Sequence, residues 1–211
     1  MKKGIIFDMD GTLWDSSVEV CKAWDAAVAE CGYERAPITQ EEMQGVMGKT
    51  MDVIAEILFP FVEGDAREEL LERCCTVENE YLRAHGGVLF PNIRPTMEQL
   101  IAAGYHLYIV SNCQKGYIEA FLDYYKLWDL VEDIECYGNN DLPKGDNIAL
   151  IVKRNSLEAA VYVGDIQGDY DSSCKAGVKF IHALYGYGTI NVPVPEIHAF
   201  EELPDVVGQV I

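Results

Sequence analysis

Basic residues are scarce. The 211-residue chain carries 16 Lys and Arg against 35 Asp and Glu, a formal charge of −19, and a field of that sign repels a nucleic-acid backbone and an anionic membrane surface alike. Nucleic acid and membrane partners are therefore not expected. An anionic small molecule is still allowed, because a metal ion and one buried Lys set the local potential of a site whatever the net charge. Long apolar runs are also missing. No stretch approaches the ~18 uncharged apolar residues of a membrane span, and the run after Lys2 and Lys3, Gly4 to Phe7, ends at Asp8, too early for a signal-peptide core. Seven cysteines (Cys21, Cys31, Cys74, Cys75, Cys113, Cys136 and Cys174) form no CxxC or Cys/His pattern. That argues against zinc and against a disulfide framework, and leaves reduced, mostly buried thiols in a cytoplasmic protein. There is no internal repeat, and no signal of an oligomeric state.

What is present fits ordinary globular usage, with 49% hydrophobic and 24% charged residues. The length suits one domain with a large insertion, or two small ones. Four apolar runs have strand length: Gly4–Phe7, His106–Val110, Ala159–Val163 and Lys179–Ala183. They do not alternate with polar residues, as expected of strands covered on both faces, which are usually parallel. Helical patterns at Thr96–Ala103, Gly116–Tyr125 and Asp146–Arg154 separate them. The expected fold class is α/β, a doubly wound parallel-sheet Rossmann-like core.

The interval between the first two runs is too long for one crossover helix. Ser16-x-x-Glu19, Thr39-x-x-Glu42 and Asp65-x-x-Glu68 each read as a capping box. Each opens an apolar-periodic segment: Val18, Cys21, Trp24, Val28 and Cys31, then Met43, Val46 and Met47, then Leu70, Leu71, Cys74, Val77 and Tyr81. Residues 15–88 are thus expected to form an inserted helical cap subdomain, with residues 1–14 and 89–211 forming the core.

The first strand runs straight into Asp8-Met9-Asp10-Gly11-Thr12, and the third into Gly164-Asp165-Ile166-Gln167-Gly168-Asp169. In open α/β sheets, sites assemble at the carboxyl ends of strands. Four carboxylates meeting there would repel one another and need a cation. Hard oxygen donors without His or Cys favour Mg²⁺. A helix starting near Gln167 would put Asp169 in its first turn, where capping alone could explain it. The second strand ends at Ser111-Asn112, two hydrogen-bond donors, and Lys144 precedes the third helix. Such parts can hold a phosphoryl group.

In this order the four segments resemble the haloacid dehalogenase superfamily of phosphohydrolases over essentially the whole chain. The helical insertion looks like the C1-type cap of phosphoglycolate phosphatases and β-phosphoglucomutases. The departures are small: Cys113-Gln114 follows the Ser-Asn pair, and Pro143 precedes Lys144 where many members have Pro after the Lys. The resemblance makes Asp8 the nucleophile that forms an aspartyl phosphate, and Asp10 the acid that protonates the leaving alkoxide and then activates water. Mg²⁺ would be held by Asp8, the backbone carbonyl of Asp10 and Asp165, with Asp169 bound directly or one layer out. Ser111, Asn112 and Lys144 would bind the transferring oxygens.

Asp10 also narrows the chemistry. Dehalogenating and phosphonate-cleaving members lack that acid, which leaves phosphate-ester hydrolysis of a small phosphorylated metabolite or a phosphosugar mutase. Asp10-Gly11-Thr12-Leu13 followed by Asp15-Ser16 looks more like the phosphoglycolate-type phosphatases, so hydrolysis is preferred. A phosphoacceptor signalling domain uses a mid-chain aspartate and has no cap, and a catalytically silent binding protein would not be expected to keep all four segments. Substrate specificity is expected in the Gly45–Thr50 loop, where Gly48 permits close backbone approach and Lys49 offers a charge.

Overall fold

All four apolar runs are strands. The computed structural model describes residues 1–211. It begins with β1 (Lys3–Phe7), a two-residue strand β2 (Trp14–Asp15), helices α1 (Ser17–Glu30), α2 (Gln40–Gln44), α3 (Met51–Leu58) and α4 (Asp65–His85), and a second two-residue strand β3 (Val88–Leu89). Helices and strands then alternate through α5 (Ile93–Ala102), β4 (Tyr105–Ser111), α6 (Tyr117–Tyr125) and β5 (Asp133–Cys136). The chain continues as α7 (Tyr137–Asn140), α8 (Lys144–Arg154), β6 (Ala159–Gly164), α9 (Gln167–Ala176), β7 (Lys179–Ala183), β8 (Glu196–Ile197) and α10 (Leu203–Val210).

The main sheet has the order β5-β4-β1-β6-β7-β8, with every pairing parallel. From β1 the chain steps outward to β4 and β5, returns to the other side of β1 at β6, and steps outward again. This reversal opens a crevice at the carboxyl ends of β1 and β6, which lie side by side with Phe7 in register with Val163.

Side-chain alternation divides each strand between two covered faces. Ile5, Phe7, Leu107, Ile109, Val161 and Val163 belong to a cluster of 44 buried residues. Ile6, Tyr108, Val110, Ala160 and Tyr162 join Ile148, Ile151 and Phe180 in a cluster of eight on the other face. Burial on both sides is why the runs lack polar alternation. The larger cluster continues into the helical insertion through Trp24, Phe59 and Leu82.

Within the insertion, Thr39 accepts from the Glu42 N–H while the Glu42 carboxylate accepts from the Thr39 N–H, a capping box as expected. The other two boxes are corrected. Ser16 precedes α1 but its hydroxyl makes no cap bond, because it is drawn to Asp10 instead. Asp65 lies inside α4, whose N-cap is Gly64. Val18 and Cys31 also prove exposed, and Val20, Ala23 and Ala27 take the inward positions of α1. Both ends of the insertion are tied together by β2 and β3, antiparallel with Trp14 opposite Leu89 and Asp15 opposite Val88. Four of the seven free thiols are buried. No helix is long and apolar enough to cross a membrane.

Candidate active site

The turn after β1 is built by its backbone. The Asp8 N–H donates to the Val163 carbonyl (2.9 Å), and the Met9 carbonyl accepts from Thr12, Leu13 and Trp14. Gly11 has φ +82°, and a Cβ there would collide with the Asp165 carboxylate. Only glycine lets the turn close against the neighbouring strand end.

Lys144 binds the two acidic segments together. At the first position of α8, following Pro143, its Nζ lies 2.9 Å from Asp8 Oδ1 and 2.7 Å from Asp169 Oδ1. The other Asp169 oxygen accepts the N–H groups of Asp165 (3.1 Å) and Ile166 (3.2 Å) at the start of α9. Asp169 therefore caps its helix and anchors Lys144 at once. Burial and the charge of Asp169 push the Asp8 carboxyl above its usual range, and Lys144 opposes them only in part. Burial, Asp169 and Asp8 do the same to Asp165. On Lys144, burial works against the charge, but Asp169 and Asp8 outweigh it and hold the ammonium above its ordinary value.

Three carboxylates facing one buried ammonium leave an excess of negative charge. Oxygens of Asp8, Asp165 and Asp169 all lie within 4.8 Å of one another. A hard divalent cation fits both the donor chemistry and the unbalanced charge. The Asp10 carboxylate is not among these three: its Oδ1 accepts from the Ser16 hydroxyl (2.6 Å) and the Tyr117 hydroxyl (2.7 Å), which are 2.8 Å from each other. Burial nonetheless raises its pKa, against the lowering effect of these two donors.

Of the expected phosphate and specificity residues, Ser111, Asn112, Gly48 and Lys49 meet Asp10 at a cleft between the strand ends and the insertion, and Lys144 lies outside its lining. The Asn112 side chain also has a partner across the cleft's rim in the insertion. Its side-chain amide donates to the Gly48 carbonyl (2.9 Å), so it fastens the Gly45–Thr50 loop to the core. Gly48, at φ +83°, packs where a Cβ would strike the end of Ile166. Lys49 is exposed beside it.

Three residues at the site were not expected from the sequence. Ser16 and Tyr117 hold Asp10. The third, Glu78 of α4, is 4% exposed, accepts the Trp24 indole N–H (2.5 Å) and lines the cleft. The buried residues of α4, Leu70, Cys74, Glu78 and Leu82, recur every four positions. A glutamate on that stripe was the available signal.

Residues 5–183 match the family described as haloacid dehalogenase-like hydrolase. A phosphoglycolate phosphatase of Aliivibrio fischeri is 27% identical over 195 residues, covering 88% of this chain and 85% of its own. Among solved structures, one from Haemophilus somnus described as a predicted phosphoglycolate phosphatase superimposes with a TM-score of 0.83 at 20% identity, covering 98% of each chain. CbbY from Rhodobacter sphaeroides in complex with phosphate does so with a TM-score of 0.80 at 19% identity, covering 96% of each.

Proposed function

The chain belongs to the haloacid dehalogenase-like hydrolase family, and on that premise we propose that it is a Mg²⁺-dependent phosphatase acting in the cytoplasm on a small phosphorylated metabolite. The observation that carries this reading is the separation of the two aspartates of one turn. Asp8 sits on Lys144 among the carboxylates, while Asp10, two residues on, is turned away onto Ser16 and Tyr117. That division supports a nucleophilic role for Asp8 and an acid role for Asp10.

An Asp8 oxygen attacks phosphorus, and the ester oxygen leaves with a proton from Asp10, giving an aspartyl phosphate and a free alcohol. Asp10, now ionised, takes a proton from water as the water oxygen attacks the same phosphorus, which releases inorganic phosphate and restores Asp8. Lys144, the Ser111 hydroxyl and the Asn112 backbone hold the phosphoryl oxygens as their charge shifts. Asp8, Asp165 and the Asp10 carbonyl would hold Mg²⁺, with Asp169 one layer out because its oxygens are already engaged by Lys144 and the Asp165 and Ile166 N–H groups. When bound, the ion offsets the repulsion between the anionic nucleophile and the anionic substrate.

The helical insertion serves as a cap over this chemistry and selects the leaving group, with the Gly45–Thr50 loop, Gly48 and Lys49 at the contact. Sequence relatives named phosphoglycolate phosphatase support hydrolysis of a small ester. Steady turnover of p-nitrophenyl phosphate, absent in Asp8→Asn free of deamidation, is the expected result. Near wild-type turnover by that variant would overturn the covalent route.

A further inference from the structure

Much of the cleft's lining is apolar. Val20, Trp24, Met43, Met47, Met51 and Ile54 line it, and the methionines suit an apolar body of variable shape. The one ionisable group set into this wall and buried is Glu78.

Glu78 is held rigidly. The Trp24 indole donates to one oxygen, and Trp24 is itself stacked on Phe59 with ring centroids 5.5 Å apart. The next residue, Asn79, accepts from the Gln114 side chain (3.1 Å) and donates to the Lys115 carbonyl (2.8 Å), which ties this turn of α4 to the loop after Ser111. Glu78 thus keeps a fixed position relative to the strand ends. Burial drives its pKa up to about 8, opposed by the Trp24 and Gln114 hydrogen bonds and reinforced by the negative charge of Asp10. An indole N–H needs only one acceptor, and a neutral amide would supply it without the desolvation cost of a carboxylate. A carboxylate kept in the wall of a cleft is better accounted for by what enters the cleft.

Building on the phosphatase reading, we infer that Glu78 is a specificity-determining residue: it accepts a hydroxyl or amine donor on the leaving alcohol and rejects leaving alcohols that carry a carboxylate. The favoured substrates are phosphomonoesters whose alcohol has a short apolar body and a hydrogen-bond donor at its far end. Above about pH 8, where Glu78 ionises, a glycolate leaving group would set its carboxylate against a second negative charge in a site of low dielectric, where like charges repel strongly. Lys49, exposed at the mouth, is screened by solvent and does not cancel that repulsion.

Phosphoethanolamine and phosphoglycolate are close in size and differ at that far end, and propyl phosphate has neither group. For wild-type enzyme with Mg²⁺ at pH 9, where Glu78 is ionised, kcat/KM for phosphoethanolamine should exceed that for phosphoglycolate by about tenfold or more, with propyl phosphate between them and the difference mainly in KM. Glu78→Gln keeps an acceptor for Trp24 and turns an amide toward the substrate. It should bring the two values to within a few-fold of each other by improving phosphoglycolate. A wild-type preference for phosphoglycolate overturns the assignment without any variant, and so does an unchanged ratio in Glu78→Gln. Failure of wild type to hydrolyse even p-nitrophenyl phosphate defeats the phosphatase reading itself, and the inference with it.

Discussion

The Ser16 hydroxyl donates to Asp10 Oδ1 across 2.6 Å, so a residue placed to cap α1 holds the side chain assigned here as the general acid. Tyr117, at the start of α6, donates to the same oxygen. Ser16→Ala and Tyr117→Phe should each lower kcat/KM for an alkyl phosphate by roughly tenfold, the usual scale for a hydrogen bond to a charged group. p-Nitrophenyl phosphate, whose leaving group hardly needs a proton, should lose less. Equal losses on both substrates would separate these residues from the acid step.

Activity should require Mg²⁺ and vanish with EDTA, because Asp8, Asp165 and Asp169 crowd without a counter-ion of sufficient charge. Ca²⁺ should support less turnover, since the larger ion accepts bidentate carboxylates and can occupy both Asp8 oxygens. Assays of metal-stripped enzyme with each ion added back check both statements.

Glu78 makes stability depend on pH. Its carboxyl titrates near the usual 4.5 when unfolded and at about 8 when folded, so the native state binds more protons between those values. Stability is then fully present below about 4.5, declines as pH rises through the window, and levels off above about 8. Burial sets the direction, the Trp24 and Gln114 hydrogen bonds oppose it, and the charge of Asp10 adds to it. Glu78→Gln lacks the titration. Its melting temperature should gain on wild type as pH rises from 5 to 9, by about 2–4 °C for each kcal/mol involved.

Gly48→Ala should loosen the Asn112 contact. The substitution meets both a left-handed backbone and the end of Ile166, at a cost of about 1 kcal/mol or more. Because the Asn112–Gly48 hydrogen bond fastens the loop to the core, KM should rise more than kcat falls. Lys49→Ala should change the ranking among phosphorylated substrates, and the change should shrink at high salt, since an exposed lysine acts through a screened field.

The strands were legible where both faces are covered, as in Ile5, Ile6 and Phe7. β5 was not, because Asp133-Ile134-Glu135-Cys136 alternates in charge and pairs outward: Asp133 and Glu135 both meet Arg154. An edge strand stitched to a helix by ion pairs looks like a loop in the sequence. β2 and β3 are too short to leave a pattern. The acidic cluster and Lys144 could be read because each follows a strand or opens a helix. Ser16 misled because Ser-x-x-Glu is a sound helix start, and nothing local tells a hydroxyl that an aspartate six residues earlier will fold back within reach. Tyr117 and Glu78 come from elements distant in the chain, and helical periodicity alone gives no sign that a tyrosine or a glutamate on such a helix will reach the strand ends.

The pairing of β2 with β3 has a consequence for how the chain acquires its shape. β1 and β4 are neighbours in the sheet, yet a long stretch lies between them, and closing a loop of that size before any contact rewards it slows folding. With Trp14 set against Leu89, the route from β1 to β4 shortens to a turn, a crossing and α5. The helices between can then gain or lose residues with little effect on whether the sheet forms, so the insertion is free to vary while the strand ends that carry the acidic cluster stay as they are.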